Sequence, residues 1–334
     1  MSKSAFRIGL GVLVALRHIC CLSRLPPPSL ILDGGRSMVI SKDTFRVTQV
    51  SDIFAAEYGG NKVICKRLRI RNQAGRRNTI AEGTRSIHEG LLWFYCQGPG
   101  VLPFLGYYIR EETPHNTALY LISSYQESGN IVEYLKTHEG NALWIELIKD
   151  VVEGLVSLHK KGIIHGDIRG CNIFVNADGH ALIGEFGCAR LSADGPISTS
   201  RHTGLLGGLI GAIPYQPPEH LYALRNDKFI FPSASADIYS LACLIYEMYT
   251  GLSPYYEISP RRQESIRACH IMEAVVNGPS RLPLKPQGVG PAGPGTVGLT
   301  SEIWALMEEC WDRNLQNRPS ASVLAEHPMF ANIF

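Results

Sequence analysis

A polar turn between two apolar runs, "IIHGDIRGCNIFV" at residues 163–175, most constrains how this chain can fold. The turn places Asp167 and Asn172 five residues apart, with short apolar runs on both sides. Such flanks predict a loop whose two ends are anchored in a core. A carboxylate and an amide fixed there can serve catalysis, or they can simply satisfy their own backbone in an ordinary turn.

The segments around this turn divide into a strand-rich first half and a helical second half. Thr44–Ile70 has the composition of strands, as do the later stretches "VLPFLGYYIR" and "ALYLISSY". Apolar residues at three- and four-residue spacing predict a buried helix at Ala142–His159. A short helix is expected at Arg85–Tyr95, and further helices at Ser235–Thr250 and Thr300–Trp311.

Length and charge narrow the class of protein. The 334 residues suit one large two-lobed domain or two domains. A net charge of +2 gives no basic field that would argue for nucleic acid as a partner. The nine cysteines form no cluster with zinc-ligand spacing, which indicates reduced thiols and a cytoplasmic protein.

The first 36 residues read as a basic and apolar leader that ends in a proline linker. Residues 1–32 contain four Lys or Arg and no acid, and the apolar run Ile8–Leu16 is too short to span a bilayer. We expect this segment to lie outside the fold and expect no membrane span. Mitochondrial or secretory targeting stays open, because the basic apolar start suits either signal.

In their order along the chain, these motifs resemble the eukaryotic protein kinase family, and they look closest to its tyrosine-kinase-like branch. The resemblance covers about residues 44–328 and implies an α+β, bilobal protein kinase fold. The implied kinase-like domain spans residues 37–330. It would have a small strand-rich N-lobe at about 44–122 and a larger helical C-lobe at about 126–330.

The resemblance assigns four catalytic residues. Asp167 stands at the catalytic-loop Asp, which orients the substrate hydroxyl and accepts its proton. Lys66 of "VICK" stands at the strand Lys that holds the phosphates, and Glu89 stands at the helix Glu that pairs with it. Arg169 occupies a place where serine/threonine kinases usually carry Lys. This loop leaves the choice between Ser/Thr and Tyr acceptors open.

ATP and Mg²⁺ are the cofactors that the resemblance implies. Asn172 and Glu185 are the expected Mg²⁺ ligands, with Glu185 taking the place of the Asp in the family's Asp-Phe-Gly motif. The expected nucleotide-binding residues are Lys66, Ile53, Ile64, Ser123, Tyr125 and Phe174.

Other family positions are structural. Glu219 of "YQPPE" and Arg318 of "NRPS" are expected to form a buried ion pair, and Asp237 of "SADIYS" is expected to brace the catalytic loop. A stacked column joining the two lobes is expected from Trp93, His165 and Phe186.

Four departures from the family pattern concern the nucleotide. Glu185 reaches one methylene, roughly 1.5 Å, further than Asp. Ile64 replaces a small Ala above the adenine ring, and Phe174 replaces an aliphatic residue below it. Overfilling such a slot typically costs about 1–3 kcal/mol. The family's Gly-rich loop should lie in "RVTQVSDIF". Its three glycine positions fall near Arg46, Thr48 and Ser51, and none of them is glycine.

Three functions follow from this pattern. The first is ATP-dependent phosphoryl transfer to Ser or Thr hydroxyls of a protein substrate in signalling. The second is a pseudokinase, a binding module that regulates a protein partner. A remote third is a small-molecule phosphotransferase, since those enzymes also place "HGD" before a catalytic Asn but lack the motifs of Glu219, Asp237 and Arg318.

Overall fold

The protein is described by a computed structural model that covers residues 9–32, 38–48, 50–69, 78–113, 116–138, 140–194, 210–228, 230–278, 283–284 and 299–330. These residues divide into two units. The sheet unit holds the described residues of Met1–Tyr125 together with Phe186–Ala189. The helical unit holds those of Gln126–Glu185, Arg190–Gly195 and Leu209–Phe334. The strand-rich and helical halves confirm the predicted α+β kinase fold class.

The sheet unit contains two helices and six strands among its described residues. The helices are α1 (Leu10–Ser23) and α2 (Thr79–Cys96). The strands are β1 (Met38–Ile40), β2 (Arg46–Val47), β3 (Ser51–Tyr58), β4 (Asn61–Leu68), β5 (Phe104–Thr113) and β6 (Asn116–Ser124). The antiparallel sheet has the order β1-β3-β4-β6-β5, and β2 also pairs with β3.

Strand β4 separates the two faces of this sheet. Val63 and Cys65 are buried in an apolar cluster with Tyr120 and Ile122 of β6. Because successive side chains on a strand point to opposite faces, Lys66 lies on the other face. Three of the other predicted nucleotide residues lie on the same face as Lys66: Ile53, Ile64 and Ser123.

Helix α2 begins earlier than the predicted start at Arg85. Asn78 caps it by accepting a hydrogen bond from the Ala81 N–H at 3.1 Å. The sequence obscured this first turn because Thr and Gly are weak helix formers. The helix packs closely on β5, where the Tyr107 hydroxyl donates to the Ile87 carbonyl at 2.7 Å.

Helix α1 lies within the segment expected to be a leader outside the fold, and here the structure differs from the sequence expectation. Leu13 is fully buried, Cys20 is almost fully buried, and α1 packs against α2. The Cys21 Sγ lies 2.6 Å from the His88 Nε2 of α2. The Leu32 N–H donates to the Tyr107 carbonyl at 2.8 Å. Residues 9–32 therefore pack within the sheet unit, whereas residues 1–8 and 33–36 lie outside the described residues.

The sequence predicts no membrane span, and the length and apolar character of the helices can be compared with what a span needs. In the described ranges, no helix combines the length and apolar character needed to cross a bilayer.

The helical unit contains seven α-helices and four short strands among its described residues. The helices are α3 (Ile131–Tyr134), α4 (Asn141–Lys160), α5 (Pro218–Arg225), α6 (Ala234–Thr250), α7 (Glu264–Asn277), α8 (Ser301–Cys310) and α9 (Ala321–Ala325). The strands are β7 (Ile163–Ile164), β8 (Ile173–Val175), β9 (Ala181–Ile183) and β10 (Arg190–Leu191). Strands β7 and β10 form one antiparallel pair, and β8 and β9 form another.

The core of the helical unit surrounds α6, which is buried along nearly its whole length. The apolar stripe predicted on α4 is confirmed, since Leu147, Val151 and Leu155 are fully buried. The flanks of the opening turn form β7 and β8, so the loop between them is anchored in the core at both ends. The fold thereby fixes the backbone on either side of Asp167 and Asn172.

The buried ion pair predicted between Glu219 and Arg318 is confirmed. The Arg318 Nη1 donates to the Glu219 Oε1, and the Nη2 donates to the Oε2, both at 2.8 Å. This is the bidentate geometry of a strong ion pair. Arg318 also donates to the carbonyls of Asp312 and Ser235 at 2.7 and 3.1 Å. The pair therefore links α5 to the first turn of α6 and to the segment between α8 and α9.

His220, beside Glu219 on α5, makes stability sensitive to pH. Burial lowers the pKa of His220 from 6.5, and its Nδ1 lies 2.9 Å from the Gln216 Oε1. The unfolded chain binds this proton more readily, so we expect stability to fall as pH drops through about 6.5. Urea unfolding at about pH 7.5 and about pH 5.5 should show a smaller loss in His220→Gln than in the wild type. An equal loss would contradict this cause.

Candidate functional site

Asp237 of α6 holds the backbone of the predicted catalytic loop. Its carboxylate accepts the His165 N–H at 2.9 Å and the Gly166 N–H at 2.8 Å. Burial alone would raise the pKa of Asp237, but the His159 ring at 2.9 Å and the Gly166 N–H outweigh burial and lower it. The bracing role predicted for Asp237 is thus confirmed as geometry.

Gly166 stands where the resembling family usually carries Arg. Its φ of 78° lies in the left-handed region, which glycine enters at little cost. An Arg there would be strained, so this backbone explains why glycine suits the position.

Asp167 is held by two neighbours in the loop. The Asn172 amide donates to both the Asp167 carbonyl and its Oδ2 at 2.8 Å. The Arg169 Nε lies 3.1 Å from the other carboxylate oxygen, Oδ1. That oxygen is buried and accepts no hydrogen bond from the residues that the structure describes. An ion pair at Oδ1 and a hydrogen bond at Oδ2 therefore fix the orientation of the Asp167 carboxylate within the loop.

Glu247 of α6 is a loop-positioning residue that the sequence reasoning missed. One of its carboxylate oxygens accepts the Gly170 N–H at 2.9 Å, and burial raises its pKa. The available signal was its place on a buried helix ten residues after Asp237. Together, Asp237 and Glu247 fix the loop at positions before and after Asp167.

Replacing Gly170 by Ala should destabilise the protein by about 1–3 kcal/mol through overpacking. A Cβ there would overlap Val132 Cγ2 and lie 2.7 Å from Glu247 Oε2. Urea unfolding measures the loss. Gly83→Ala on α2 is the control, because its Cβ would meet nothing within 4 Å, and it should gain about 0.5–1 kcal/mol. A Gly170→Ala protein as stable as the wild type would refute the close packing.

The predicted metal ligands lie close to the loop. Glu185 adopts φ 64°, a conformation that costs a non-glycine residue about 1–3 kcal/mol and clusters at functional sites. The Gly184 N–H before it donates to the Asn172 carbonyl at 2.9 Å. With the Asn172 amide nitrogen committed to Asp167, its Oδ1 carries the remaining acceptor capacity of that side chain.

Carboxylate and amide oxygens are the ligand type that Mg²⁺ prefers, so Asn172 and Glu185 fit this ion by donor chemistry. Within the described part of the chain, no group of three or more His, Cys, Asp or Glu side chains is placed to hold a metal. A site built here would therefore need oxygens from a substrate or from water, which Mg²⁺ commonly uses.

Lys66 and Glu89 form a buried ion pair in the sheet unit. The Lys66 Nζ lies 2.6 Å from the Glu89 Oε1, and both side chains are under a tenth exposed. The contact joins β4 to α2, 23 residues further along the chain. The pair that the resemblance implied is therefore present, with its positive charge fixed on one face of the sheet.

The register of the sheet gathers the predicted nucleotide residues around Lys66. Ile53 lies opposite Lys66, and Ser123 lies opposite Ile64. Residues paired across antiparallel strands share a face, so these four belong to one surface. Tyr125 follows β6, and the Lys62 Nζ lies 5.6 Å from the centre of its ring. Ile64 is half-buried rather than buried, so it stands partly open on this face.

The turn between β2 and β3 differs from a phosphate-binding loop in the hydrogen bonds of its backbone N–H groups. The Thr48 hydroxyl accepts the N–H groups of Val50 and Ser51 at 3.2 and 2.9 Å. The Thr48 N–H donates to the Ser51 carbonyl at 2.9 Å. Gln49 lies outside the described residues. A Gly-rich loop presents such N–H groups to phosphate, whereas here three are already used.

The predicted aromatic column is present in part. Trp93 of α2 stacks on Phe186 with ring centres 5.7 Å apart, and on Phe104 at 5.3 Å. The Trp93 indole donates to the Leu102 carbonyl at 2.7 Å. The contact between Trp93 and Phe186 is thus confirmed. The inclusion of His165, which belongs to the helical unit, stays a prediction.

The predicted site residues fall into two described groups. The sheet unit holds Lys66, Glu89, Ile53, Ile64, Ser123 and Tyr125, and the helical unit holds Asp167, Arg169, Asn172, Phe174 and Glu185. Each group is ordered within its own unit. Their joint service in one reaction stays a prediction.

Comparison with known proteins gives a consistent match. The model of the protein kinase domain matches residues 49–330. MAP3K epsilon protein kinase 1 of Brassica napus is 26% identical over 220 residues, 65% of this chain and 14% of that protein. Receptor-interacting serine/threonine-protein kinase 1 of Homo sapiens is 27% identical over 212 residues, 60% of this chain and 28% of that protein. A probable serine/threonine-protein kinase of Dictyostelium discoideum is 26% identical over 326 residues, 92% of this chain and 44% of that protein.

The chain spans less than half the length of each of these relatives, so their other regions have no counterpart in these matches. The kinase match itself covers most of the chain and includes both groups of site residues. The chain belongs to the protein kinase family.

Proposed function

We propose that this chain catalyses ATP-dependent phosphoryl transfer to Ser or Thr hydroxyls of a protein substrate, as a signalling kinase of the tyrosine-kinase-like branch. The observation that carries the proposal is the buried pair of Lys66 and Glu89, with nitrogen and oxygen 2.6 Å apart. Apolar residues in place of a buried ion pair are often neutral or stabilising by about 1–4 kcal/mol. A buried ion pair at a position where apolar residues would be at least as stable supports a role for the fixed positive charge of Lys66 in function.

The helical unit supports the same chemistry. The Asp167 carboxylate is held at both oxygens, with Oδ1 in an ion pair with Arg169 and Oδ2 accepting the Asn172 amide. In the proposed reaction, the Asp167 carboxylate orients the acceptor hydroxyl and takes its proton. The serine/threonine kinases among the relatives favour Ser or Thr over Tyr as the acceptor.

Bound Mg-ATP would supply the phosphoryl group that is transferred. Lys66 would hold phosphate oxygens, while Asn172 and Glu185 would provide oxygen ligands to the metal. The remaining nucleotide contacts would come from the sheet face of Ile53, Ile64 and Ser123, together with Tyr125 and Phe174.

A second candidate is a pseudokinase, a module that binds a protein partner without catalysis. The turn of Thr48 and Ser51 favours it, because its backbone N–H groups are hydrogen-bonded within the turn. Mg-ATP would have to bind without the cradle that a Gly-rich loop provides. This candidate predicts a folded chain with no nucleotide affinity.

Nucleotide binding separates the two candidates. We would measure fluorescent-ATP binding and thermal shift with and without Mg²⁺, followed by phosphate incorporation into a Ser/Thr peptide library. The kinase proposal expects Mg²⁺-dependent binding that Lys66→Met abolishes. Lys160→Met is the matched control, because Lys160 is exposed at the end of α4, and it should bind like the wild type. The absence of Mg-ATP binding at about millimolar nucleotide would overturn the kinase proposal.

A gain-of-function pair tests the altered nucleotide positions. Ile64→Ala with Glu185→Asp restores the residue types that the family usually carries, so we expect tighter nucleotide binding. Unchanged affinity would show that these two side chains do not limit the site. Thr48→Gly with Ser51→Gly tests the turn in the same way, since it removes the hydroxyl that accepts the N–H groups of Val50 and residue 51.

A further inference from the structure

Helix α1 presents an apolar stripe to solvent on the side opposite its packed face. Leu13 and Cys20 face α2 and are buried. Val12, Ile19 and Leu22 are 51%, 58% and 73% exposed, and Ala15 is exposed between them. Their spacing of three, four and three residues places these side chains on one side of the helix. The stripe is about 15 Å long, from ten residues at 1.5 Å each.

In the sequence, the segment that carries this stripe has charged residues of one sign only. Residues 1–32 contain Lys3, Arg7, Arg17 and Arg24 but no Asp or Glu. Arg24 follows the last turn of α1 and is exposed. The exposed apolar stripe is therefore carried by a segment that attracts anions.

We propose that the outward face of α1, formed by Val12, Ala15, Ile19 and Leu22, binds an anionic lipid surface. A helix with apolar side chains on one side and nearby cationic residues lies in the plane of a membrane interface, with its apolar face among the acyl chains. Each Lys or Arg close to an anionic surface adds to the attraction. Because the opposite face of α1 is packed on α2, docking would bring the sheet unit to the membrane without unfolding α1.

A second copy of this chain fits the same face less well. Stable protein interfaces use about 20–30 residues on each side, whereas α1 exposes five large apolar side chains: Leu10, Val12, Val14, Ile19 and Leu22. Two copies paired through α1 would also bring together two acid-free, cationic segments, which repel each other. An anionic surface satisfies both features, because it needs little apolar area when charge adds to the binding.

The test is sedimentation of the purified full chain with vesicles. We expect binding to phosphatidylcholine vesicles containing about 30% phosphatidylserine, and weaker binding to pure phosphatidylcholine or at high salt. Ile19→Glu with Leu22→Glu should lower the bound fraction by about tenfold or more. Arg24→Gln should weaken binding only to the anionic vesicles.

The matched control is Val323→Glu on α9, which changes a side chain that is 60% exposed. It should bind vesicles like the wild type, and thermal unfolding should be similar for all variants because the altered side chains face outward. The absence of wild-type binding to anionic vesicles overturns the proposal, as does an equal loss in Val323→Glu. A dimer in sedimentation velocity that Ile19→Glu with Leu22→Glu abolishes would assign the face to a second copy instead. The readout needs no catalysis, so it is independent of the proposed function.

Discussion

Replacing Arg318 by Ala is expected to lower the free energy of unfolding by about 3–5 kcal/mol. The Arg318 side chain is fully buried, and it pairs with Glu219 through two contacts of 2.8 Å. Its removal leaves a largely buried carboxylate without its cation and frees the carbonyls of Asp312 and Ser235. Urea unfolding of the wild type and the variant measures the difference.

Two controls show whether the loss comes from the unpaired charge. Arg318→Met with Glu219→Leu removes both charges and should recover much of the stability, because apolar residues can replace a buried pair. Arg225→Ala breaks an exposed pair with Glu273, whose atoms lie 3.7 Å apart, and should cost less than about 1 kcal/mol. A double variant no more stable than Arg318→Ala would mean that packing, rather than charge, accounts for the loss.

Replacing Asp167 by Asn is expected to lower kcat by about 10²–10⁴-fold. It should lower the free energy of unfolding by no more than about 1 kcal/mol, because the ion pair with Arg169 that is lost is partly exposed. This prediction rests on the proposed function. Asn keeps the shape of the side chain and one oxygen that can accept the Asn172 amide, but it cannot take a proton from the acceptor hydroxyl. Initial rates of phosphate incorporation into a peptide substrate measure kcat.

A measurement of nucleotide binding shows whether the Asp167→Asn variant has lost only the catalytic base or has also lost the nucleotide-binding site. Asp167→Asn should bind Mg-ATP about as tightly as the wild type, because the expected nucleotide contacts lie elsewhere. Asp178→Asn, at an exposed turn after β8, is the matched control and should retain wild-type kcat. An Asp167→Asn protein with wild-type kcat would remove Asp167 from the catalytic role.

Paired polar residues were the most predictable part of this structure. Glu219, Arg318 and Asp237 were each expected from a local motif, and each makes the expected contact. The resemblance to the protein kinase family implied these contacts, and they agree with the general rule that a buried charge requires a partner. The α4 stripe was equally predictable, because helical periodicity is a local property of the sequence.

Contacts that depend on distant segments could not be predicted. An apolar run such as that of α1 gives the same sequence pattern in a detached leader and in a packed helix. The structure shows a packed helix, in which Cys21 contacts His88, 67 residues further along the chain. The sequence shows that no glycine lies near Thr48. It does not show that the Thr48 hydroxyl accepts the Ser51 N–H and so occupies the backbone of that turn. Glu247 was missed because a lone acid on an apolar helix gives no sign of the N–H that it accepts.

The packing of α1 has a practical consequence for truncated versions of this protein. The family match begins at residue 49, but α1 begins at Leu10. A truncation made at the family boundary would expose to water the surface of α2 that covers Leu13 and Cys20. Newly exposed apolar surface promotes aggregation, so we expect poor solubility from such a fragment. Expression should therefore retain residues 9–32.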